Sequence, residues 1–286
     1  MEKIMKTNKK FLKIAALTVA VLLIAGVCLF ANSLVGNPVS KAVAKNAAEA
    51  YIEENYKDLN LELDRVSYSF KDSYYHAYVT DPDNMDGDFT LLINMWGKVC
   101  LNTYDDRVAG GWNTADRIRA DYRNTVKSLL ADKAFPYNVY LGHGDIEFIS
   151  REYQNAPTVP SYALVTEDLT VGTFQNTNQW AAKAGKLTIY LDDPDTSAAR
   201  LAEILLNIKG AFDQAGVPFY AIDCILEYNG TEDAPANDGR LEVVDFLYAD
   251  IYEEGLTDRV KAAAQAAKYD YTEQSPDQMM GMDEIE

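Results

Sequence analysis

The chain is organised around the stretch FLKIAALTVAVLLIAGVCLFA at Phe11–Ala31. From Ile14 to Ala31 it carries no charged residue, and Thr18 is its one clearly polar residue. These 18 residues would extend about 27 Å as a helix, close to the ~30 Å hydrocarbon core of a bilayer. Inside lipid, such a run satisfies its backbone hydrogen bonds only as a helix. The sequence therefore predicts a transmembrane anchor at residues 11–31.

Lysines flank this stretch on one side only. Five lysines precede Ile14, whereas the first cation after Ala31 is Lys41. Cytoplasmic flanks of membrane helices are enriched in Lys and Arg. We therefore expect a single-pass protein of the cell membrane, with a cytoplasmic N-terminus and the remaining chain outside the cell. The five are Lys3, Lys6, Lys9, Lys10 and Lys13.

Two cleaved forms are alternatives to this anchor. A secretory signal has an apolar region of about 7–15 residues, shorter than this run, and the best cleavage site, after Ala31, has the large Leu29 three residues from the cut. A lipoprotein would use Cys28, but Val27 stands where a small residue is expected. The pattern favours an uncleaved anchor.

Acidic residues dominate the chain beyond the apolar run. The whole sequence has 26 Lys and Arg against 44 Asp and Glu, and five of those cations and one of those acids precede Ile14. The rest, 21 cations and 43 acids, have a net charge of −22. Such a surface repels nucleic acid, which excludes nucleic acid as a partner. It suits divalent cations or a basic partner, although solubility is the simpler explanation.

Cysteine and histidine are too few to indicate a disulfide framework or a zinc site. Beyond the apolar run the chain has two cysteines, Cys100 and Cys224. Two distant cysteines in apolar surroundings predict buried free thiols rather than a disulfide. The two histidines, His76 and His143, cannot form a conventional zinc site alone.

Periodicity predicts a small α+β domain directly after the anchor. Asn37-Pro38 suits the cap and first turn of a helix whose apolar face repeats every three to four residues. The period then falls to two, and a change of phase near Asp64-Arg65 predicts a β-bulge or bend. The pattern continues as a four-stranded antiparallel meander followed by a second helix. We expect the helices to pack on one face of the sheet.

The second half of the chain interleaves strands and helices. Phe135-Pro136 and the glycines of Gly142-His143-Gly144 predict a domain junction. Apolar periodicity beyond it predicts a mixed α/β sandwich, so the overall fold class is α+β. The predicted segments are a basic cytoplasmic segment at 1–10, the anchor at 11–31, an N-terminal α+β domain at 37–135, a C-terminal α/β domain at 144–272 and an acidic disordered tail at 273–286.

Four long stretches together carry a family resemblance. They are NPVSKAVAKNAAEAYIEENYKDLNLELDRVSYSFKDSYYHAYV at 37–79, YDDRVAGGWNTADRIRADYRNTV at 104–126, GVPFYAIDCILEY at 216–228 and VDFLYADIYEEGLTDRV at 244–260. They resemble the YfjL-like proteins, single-pass membrane proteins of Gram-positive bacteria with an N-terminal and a C-terminal YfjL-like domain. The resemblance covers essentially all of the chain after the anchor. It implies two domains behind one membrane helix, and it implies no activity, substrate or catalytic residue.

The densest acidic cluster invites a calcium hypothesis. Asp81, Asp83, Asp86 and Asp88 lie within eight residues, and calcium prefers several oxygen ligands on one loop. The EF-hand pattern fails because, counted from Asp81, Met85 stands at position five and Leu92 at position twelve. A polar turn between two strands explains the same composition. We predict no cofactor, with these four aspartates as the candidate ligands for calcium.

Paired carboxylates offer a second chemistry. Asp192-Asp193 follows a predicted strand, and Asp223 and Glu227 share one face of another, an arrangement that could serve glycoside hydrolysis. Charges at strand edges and near a helix N-terminus account for the same residues. The sequence has no G-x-S-x-G, H-E-x-x-H or P-loop pattern. The sequence therefore favours a protein that is not an enzyme and leaves a carboxylate-dependent hydrolase as the alternative.

Tyr104, Arg107 and Trp112 are the candidate interaction residues. They lie between the last strand of the first domain and its second helix, and Trp, Tyr and Arg are the types favoured at binding hot spots. A role for Trp112 in fixing the loop to the core is the structural alternative.

The sequence thus predicts a membrane-anchored extracytoplasmic module that binds an envelope protein or another envelope component. Its residues 11–31 would bind the lipid bilayer. The alternatives are a carboxylate-dependent envelope hydrolase and a surface sensor of cations or small ligands.

Overall fold

The computed structural model describes the backbone of residues 2–230 and 239–273, and the side chains of residues 13–27, 30, 34–230 and 239–267. The chain divides into two compact units. The N-terminal unit runs to Asn113 and includes Val171–Thr173, and the C-terminal unit comprises Thr114–Thr170 and the chain from Phe174. Each contains a four-stranded sheet with helices, which confirms the α+β class. The predicted tail lies outside the described residues from 274 onward.

Helix α1 runs without a break from Glu2 to Val35. Each large apolar side chain that it carries from Ile14 to Val27 is between 55% and 68% exposed. Judged on the described residues alone, none of the helices has the length and apolarity of a bilayer span.

A tight joint connects α1 to the next helix, α2 (Pro38–Asn55). Gly36 has φ +70°, and a Cβ at this position would lie 2.8 Å from both the Tyr68 ring and the Tyr75 hydroxyl. The Asn37 N–H donates to the Tyr75 hydroxyl (3.1 Å), which donates to the Asn37 carbonyl (3.2 Å). The Asn37 side chain also accepts from the Ser40 N–H, so the predicted cap of α2 is confirmed.

The sheet of the N-terminal unit is the predicted antiparallel meander. Its strands lie in chain order, as β1 (Glu62–Ser69), β2 (Tyr74–Thr80), β3 (Phe89–Ile93) and β4 (Val99–Asn102). The predicted bulge is also confirmed, because the register of β1 on β2 shifts between Leu63 and Arg65. Helix α2 contributes Ala44 and Ala48 to a core that includes Tyr75, Leu91 and Ile93. Small side chains on α2 allow its backbone to approach the sheet closely.

The C-terminal unit combines a mixed sheet with helices. Its elements are α3 (Trp112–Leu130, whose first two residues belong to the N-terminal unit), β5 (Val139–Ile146), β6 (Phe148–Ile149), β7 (Leu164–Val165), α4 (Thr177–Ala184), β8 (Gly185–Asp192), α5 (Ala198–Ala215), β9 (Ala221–Glu227), β10 (Arg240–Leu247) and α6 (Leu256–Glu273). The strand order of the mixed sheet is β10-β9-β8-β5. The pair β8–β9 is parallel, and helix α5 connects its two strands, whereas β5–β8 and β9–β10 are antiparallel. The core includes Tyr122 of α3, Leu187 and Ile189 of β8, and Ile204 and Phe212 of α5.

The unit boundary differs from the predicted one. The sequence placed the first domain at 37–135 and a junction around Gly142-His143-Gly144, but the chain divides after Asn113, and these glycines lie inside strand β5. A Cβ at Gly144 would lie 2.6 Å from Val126 Cγ2, and one at Gly142 would lie 2.6 Å from Leu130 Cδ1. The glycines therefore make room for α3 against the sheet, and this packing assigns the helix to the C-terminal unit.

This contact gives a first testable prediction. Gly144→Ala should lower the stability of the C-terminal unit by about 1–3 kcal/mol, because the added methyl group overpacks the α3–β5 contact. Gly210→Ala is the matched control. It lies inside α5 with nothing within 4 Å of an added Cβ, and it should raise stability by about 0.5–1 kcal/mol. Native-state hydrogen exchange of the β8 amides measures both, and equal effects of the two substitutions would contradict the close packing.

Both cysteines were predicted to be buried free thiols, and this is correct for one of them. Both are free, and Cys224 is buried in β9 as predicted. Cys100 is exposed, contrary to the prediction, because it lies on β4, the edge strand of its sheet.

Candidate functional site

A groove of about 420 Å³ opens in the N-terminal unit beside the bulge of β1. It draws residues from β1, β2 and β3 and from the segment that leads into α3. We call it the arginine groove, because two of its lining residues are arginines. It is lined by Asp64, Arg65, Tyr78, Val79, Thr80, Asp88, Phe89, Thr90, Thr103, Arg107 and Asn113.

Arg107 lies on a π-helical turn, Asp105–Ala109. Such turns are rare in proteins, and those that occur often lie at functional sites. Its Nε donates to the Asn113 side-chain oxygen (2.9 Å). The Asn113 amide nitrogen in turn donates to the backbone carbonyls of Asp86 (2.9 Å) and Asp88 (2.6 Å). Asn113 therefore fixes the guanidinium to the backbone of the acidic loop.

Arg65 owes its position to the β-bulge. The shifted register places it opposite Tyr78 of β2, and its guanidinium carbon lies 4.2 Å from the centre of the Tyr78 ring. A carboxylate oxygen of Asp64 is 3.3 Å from Arg65 Nη1, and both side chains are exposed. A cation over an aromatic face at an exposed site gains about 0.5–1 kcal/mol. The stacking holds Arg65 against the sheet at the rim of the groove.

The four aspartates of the calcium hypothesis have different environments. Asp81 accepts from the Asp83 N–H, Asp83 accepts from the Asn60 side chain, and the buried Asp86 accepts from the Gly172 N–H at 3.2 Å. Asp88 is exposed and lines the arginine groove. A search of the residues that the structure describes finds no group of three or more His, Cys, Asp or Glu side chains placed to hold a metal ion.

The three candidate interaction residues also separate. Arg107 lines the groove. The centre of the Tyr104 ring lies 4.7 Å from the centre of the Tyr56 ring and 5.2 Å from that of the Phe89 ring, at the margin of the N-terminal core. Trp112 begins α3 and is half-buried. The structure thus brings together Arg107 and Asp88, and it places Tyr104 in an aromatic cluster instead.

Sequence reasoning did not identify Arg65, Tyr78 or Asn113 as site residues. The phase change at Asp64-Arg65 was the available signal for Arg65, since a bulge can redirect a side chain toward a site. For Asn113 the sequence indicated only that the residue suits the start of a helix.

A second polar cluster lies in the C-terminal unit, around Lys186 of β8. Lys186 Nζ is 3.0 Å from an oxygen of Asp223 and 2.9 Å from one of Asp245. The Tyr162 hydroxyl donates to Asp245 (2.6 Å), and the Asp245 N–H donates to the second oxygen of Asp223 (2.8 Å). Asp245 has φ +49° within a bulge of β10. This strained backbone is held by the network of contacts around it.

Burial and pairing act in opposite directions on these charges. Burial raises the pKa of Asp223, more than the nearby Lys186 and the Asp245 N–H lower it. Burial alone would also raise the pKa of Asp245, but hydrogen bonds from Tyr162 and Lys186 outweigh it, so the pKa falls. Burial raises the pKa of the neighbouring Glu147 as well. The cluster is therefore a half-buried ion-pair network.

The other predicted carboxylates lie in separate contacts. Asp193 pairs with Arg200 (2.8 Å), and Asp192 accepts from the Asn229 N–H (2.9 Å). Glu227 accepts from the Tyr140 hydroxyl and lies 3.6 Å from Arg240. None of these contacts joins Glu227 to Asp223.

Comparison with known families gives two matches. The YfjL-like N-terminal domain matches residues 9–101, and the YfjL-like C-terminal domain matches residues 121–261. No curated protein and no solved structure gives a significant match.

Proposed function

The chain belongs to the YfjL-like family, and we propose that it is a membrane-anchored extracytoplasmic binding protein whose arginine groove holds an anionic group of a partner in the cell envelope. The partner would be an envelope protein or another envelope component. The observation that carries the proposal is the fixed Arg107–Asn113 pair within an open groove.

The proposed anchor is the part of α1 from Phe11 to Ala31. It is supported by the absence of charge from Ile14 to Ala31 and by the exposure of the apolar side chains that the helix carries in this region. Apolar side chains on all sides of a helix are stable in lipid and costly in water. The five lysines before Ile14 support a cytoplasmic N-terminus.

The groove suits a carboxylate or a phosphate group. A guanidinium offers a planar fork of N–H donors that matches both anions, and a fork that is already oriented loses less entropy when the anion binds. Arg107 is oriented by Asn113, and Arg65 is held over Tyr78. Since the chain beyond the anchor has a net charge of −22, it repels polyanions at long range, which favours a single compact anionic group.

A hydrolase that uses Asp223 is the second candidate function. The observation in its favour is the raised pKa of this half-buried carboxyl group. However, one oxygen of Asp223 accepts from the Asp245 N–H and the other pairs with Lys186. Both oxygens therefore already have partners within the protein, and we favour the binding protein.

Site-specific photo-crosslinking in living cells tests the binding proposal. The full-length protein would carry p-benzoylphenylalanine in place of Tyr78, with the same probe at the exposed Tyr153 of the C-terminal unit as a positional control. We expect an adduct specific to position 78 whose yield falls about tenfold in Arg107→Gln, since charged hydrogen bonds contribute about 1.5–3 kcal/mol.

Arg151→Gln is the matched charge control, because Arg151 is a surface arginine paired with Asp168 in the C-terminal unit. It should leave the adduct unchanged. An adduct that survives Arg107→Gln, or the same adduct from position 153, would contradict binding in the arginine groove.

A further inference from the structure

Strand β1 leaves one edge of the N-terminal sheet open. The strand order is β1-β2-β3-β4, so within the described part of the chain β1 pairs with β2 alone. The other edge of β1 presents backbone N–H and C=O groups that an added strand can pair with. Addition of an extended peptide to such an edge is a recurring mode of recognition.

Helix α2 lies beside this edge and forms a groove with it. One cavity of about 450 Å³ lies between the N-terminal half of α2 and residues 63–66 of β1. A second cavity of about 430 Å³ lies between the C-terminal half of α2 and residues 59–63. Leu63 lines both cavities, so we treat them as one surface, the α2–β1 groove. Ala42, Ile52 and Leu61 give it an apolar lining.

The two ends of the α2–β1 groove differ in charge. Lys41, Lys45, Asp64 and Arg65 line the end near the start of α2, so this end has a net positive charge, and Lys45 also lies 3.6 Å from Glu49. Glu49, Glu53 and Glu62 line the other end, together with Lys57. A basic end is unusual on a chain this acidic, and it would attract an acidic group electrostatically. The charges therefore suit a ligand that is acidic at one end and basic at the other.

The bulge in β1 limits what can pair with the edge. It interrupts the strand between Leu63 and Arg65, and bulges and charges on edge strands prevent indiscriminate pairing of whole sheets. Residues 61 to 66, at and just before the start of β1, extend about 17 Å. This length suits a short extended segment, and the interruption disfavours pairing with the edge of a second copy.

We propose that the α2–β1 groove binds a short extended segment of a partner polypeptide by strand addition to β1, with the acidic end of the segment beside Lys41 and Lys45. This surface goes beyond the proposed anion site. It adjoins the arginine groove at Asp64 and Arg65, which line cavities of both. It does not depend on Arg107.

Selection from a random octapeptide library displayed on phage tests the proposal, with the detergent-solubilised full-length protein as the target. We expect enriched peptides that are rich in β-branched residues, acidic at one end and basic at the other. Their affinity, measured by fluorescence anisotropy, should fall at least about tenfold in the double variant Lys41→Glu/Lys45→Glu. Ala42→Trp, a substitution at an exposed position of α2, should block binding by filling the groove. N-methylation of alternate peptide amides should also abolish binding, because it removes the backbone donors that strand addition requires.

Lys183→Glu/Lys261→Glu is the matched control, since it reverses two charges on helices of the C-terminal unit. It should leave peptide affinity unchanged, and so should Arg107→Gln, which separates this inference from the anion proposal.

Peptides that bind Ala42→Trp as tightly as the parent protein, or no enrichment at all, would overturn strand addition. Concentration-dependent dimers blocked by Ala42→Trp would assign the groove to a second copy. Binding to vesicles of phosphatidylglycerol that requires Lys41 and Lys45, without peptide binding, would assign it to lipid.

Discussion

Leu22→Lys/Ile24→Lys is expected to release the full-length protein from the membrane. Both residues lie near the middle of the charge-free run, and each side chain is more than 60% exposed on α1. On a biological insertion scale, each lysine near the centre of a membrane helix costs about 3 kcal/mol and each lost Leu or Ile removes about 0.5 kcal/mol. The double substitution therefore disfavours insertion by about 7 kcal/mol, enough to abolish it.

Carbonate extraction of cell membranes measures this effect. The parent protein should remain in the membrane pellet, and the double-lysine variant should leave it. Leu101→Lys/Val244→Lys is the control, because it places two lysines at exposed apolar positions on strands β4 and β10. A parent protein that is extracted by carbonate, or a mature N-terminus that begins after Ala31, would refute the uncleaved anchor.

Lys186→Met is expected to destabilise the C-terminal unit by about 3 kcal/mol. The substitution keeps the apolar stem but leaves Asp223 and Asp245 without their cation. Removal of one partner from a buried ion pair costs about 3–5 kcal/mol, and the partial exposure of Asp245 places the expected value at the lower end. Lys261→Met breaks an exposed pair with Asp258 and should cost less than about 0.5 kcal/mol. Hydrogen exchange of the β8 and β9 amides compares the two variants.

The loss should depend on pH in a defined direction. In the parent protein, Asp245 has a lowered pKa, so its contribution to stability is present above the ordinary value of 3.8 and is lost as the pH falls through the folded value. Asp223 has a raised pKa, so its contribution is present below 3.8 and is lost as the pH rises through the folded value. Without Lys186 both pKa values rise. The variant should therefore be most destabilised near neutral pH, and it should approach the parent protein only as the pH falls below 3.8, through the lowered pKa of Asp245.

A rescue variant separates this electrostatic cause from a packing defect. Lys186→Met/Asp223→Asn/Asp245→Asn removes all three charges and keeps the side-chain acceptors for Tyr162 and for the amide of residue 245. Asn also tolerates the positive φ at position 245. Most of the lost stability should return. A triple variant as unstable as Lys186→Met would show that Lys186 stabilises this part of the sheet by packing of its side chain rather than by its charge.

Local features of the fold could be read from the sequence because their causes are local. The Asn37 cap acts within four residues, and the bulge in β1 appears as a change in the phase of alternation. The unit boundary could not be read in this way. Gly142 and Gly144 look like turn residues, whereas the structure requires them where α3 packs against β5. That requirement depends on the position of the helix in space, which no local pattern encodes.

The same distinction separates the site residues that were anticipated from those that were not. Arg107 was identified as a candidate interaction residue because Tyr104 and Trp112, two other types favoured at binding sites, lie close to it in the sequence. Arg65 and Tyr78 face each other through strand register across a hairpin, and composition does not specify that register. Asp223 was grouped with Glu227 on its own strand, but its partner Lys186 lies on the neighbouring parallel strand. Adjacency of that kind depends on strand order, and strand order depends on how the α5 connection crosses the sheet.

The joint at Gly36 and Asn37 has a mechanical consequence. Two residues separate α1 from α2, and the Tyr75 hydroxyl holds Asn37 by both of its backbone polar groups. The connection therefore contains no slack that a pull could extend. A force on the N-terminal unit passes from β2 through Tyr75 directly into the proposed anchor. If α1 is the proposed anchor, this short joint would hold the N-terminal unit close to the bilayer surface, and the proposed partner would bind there.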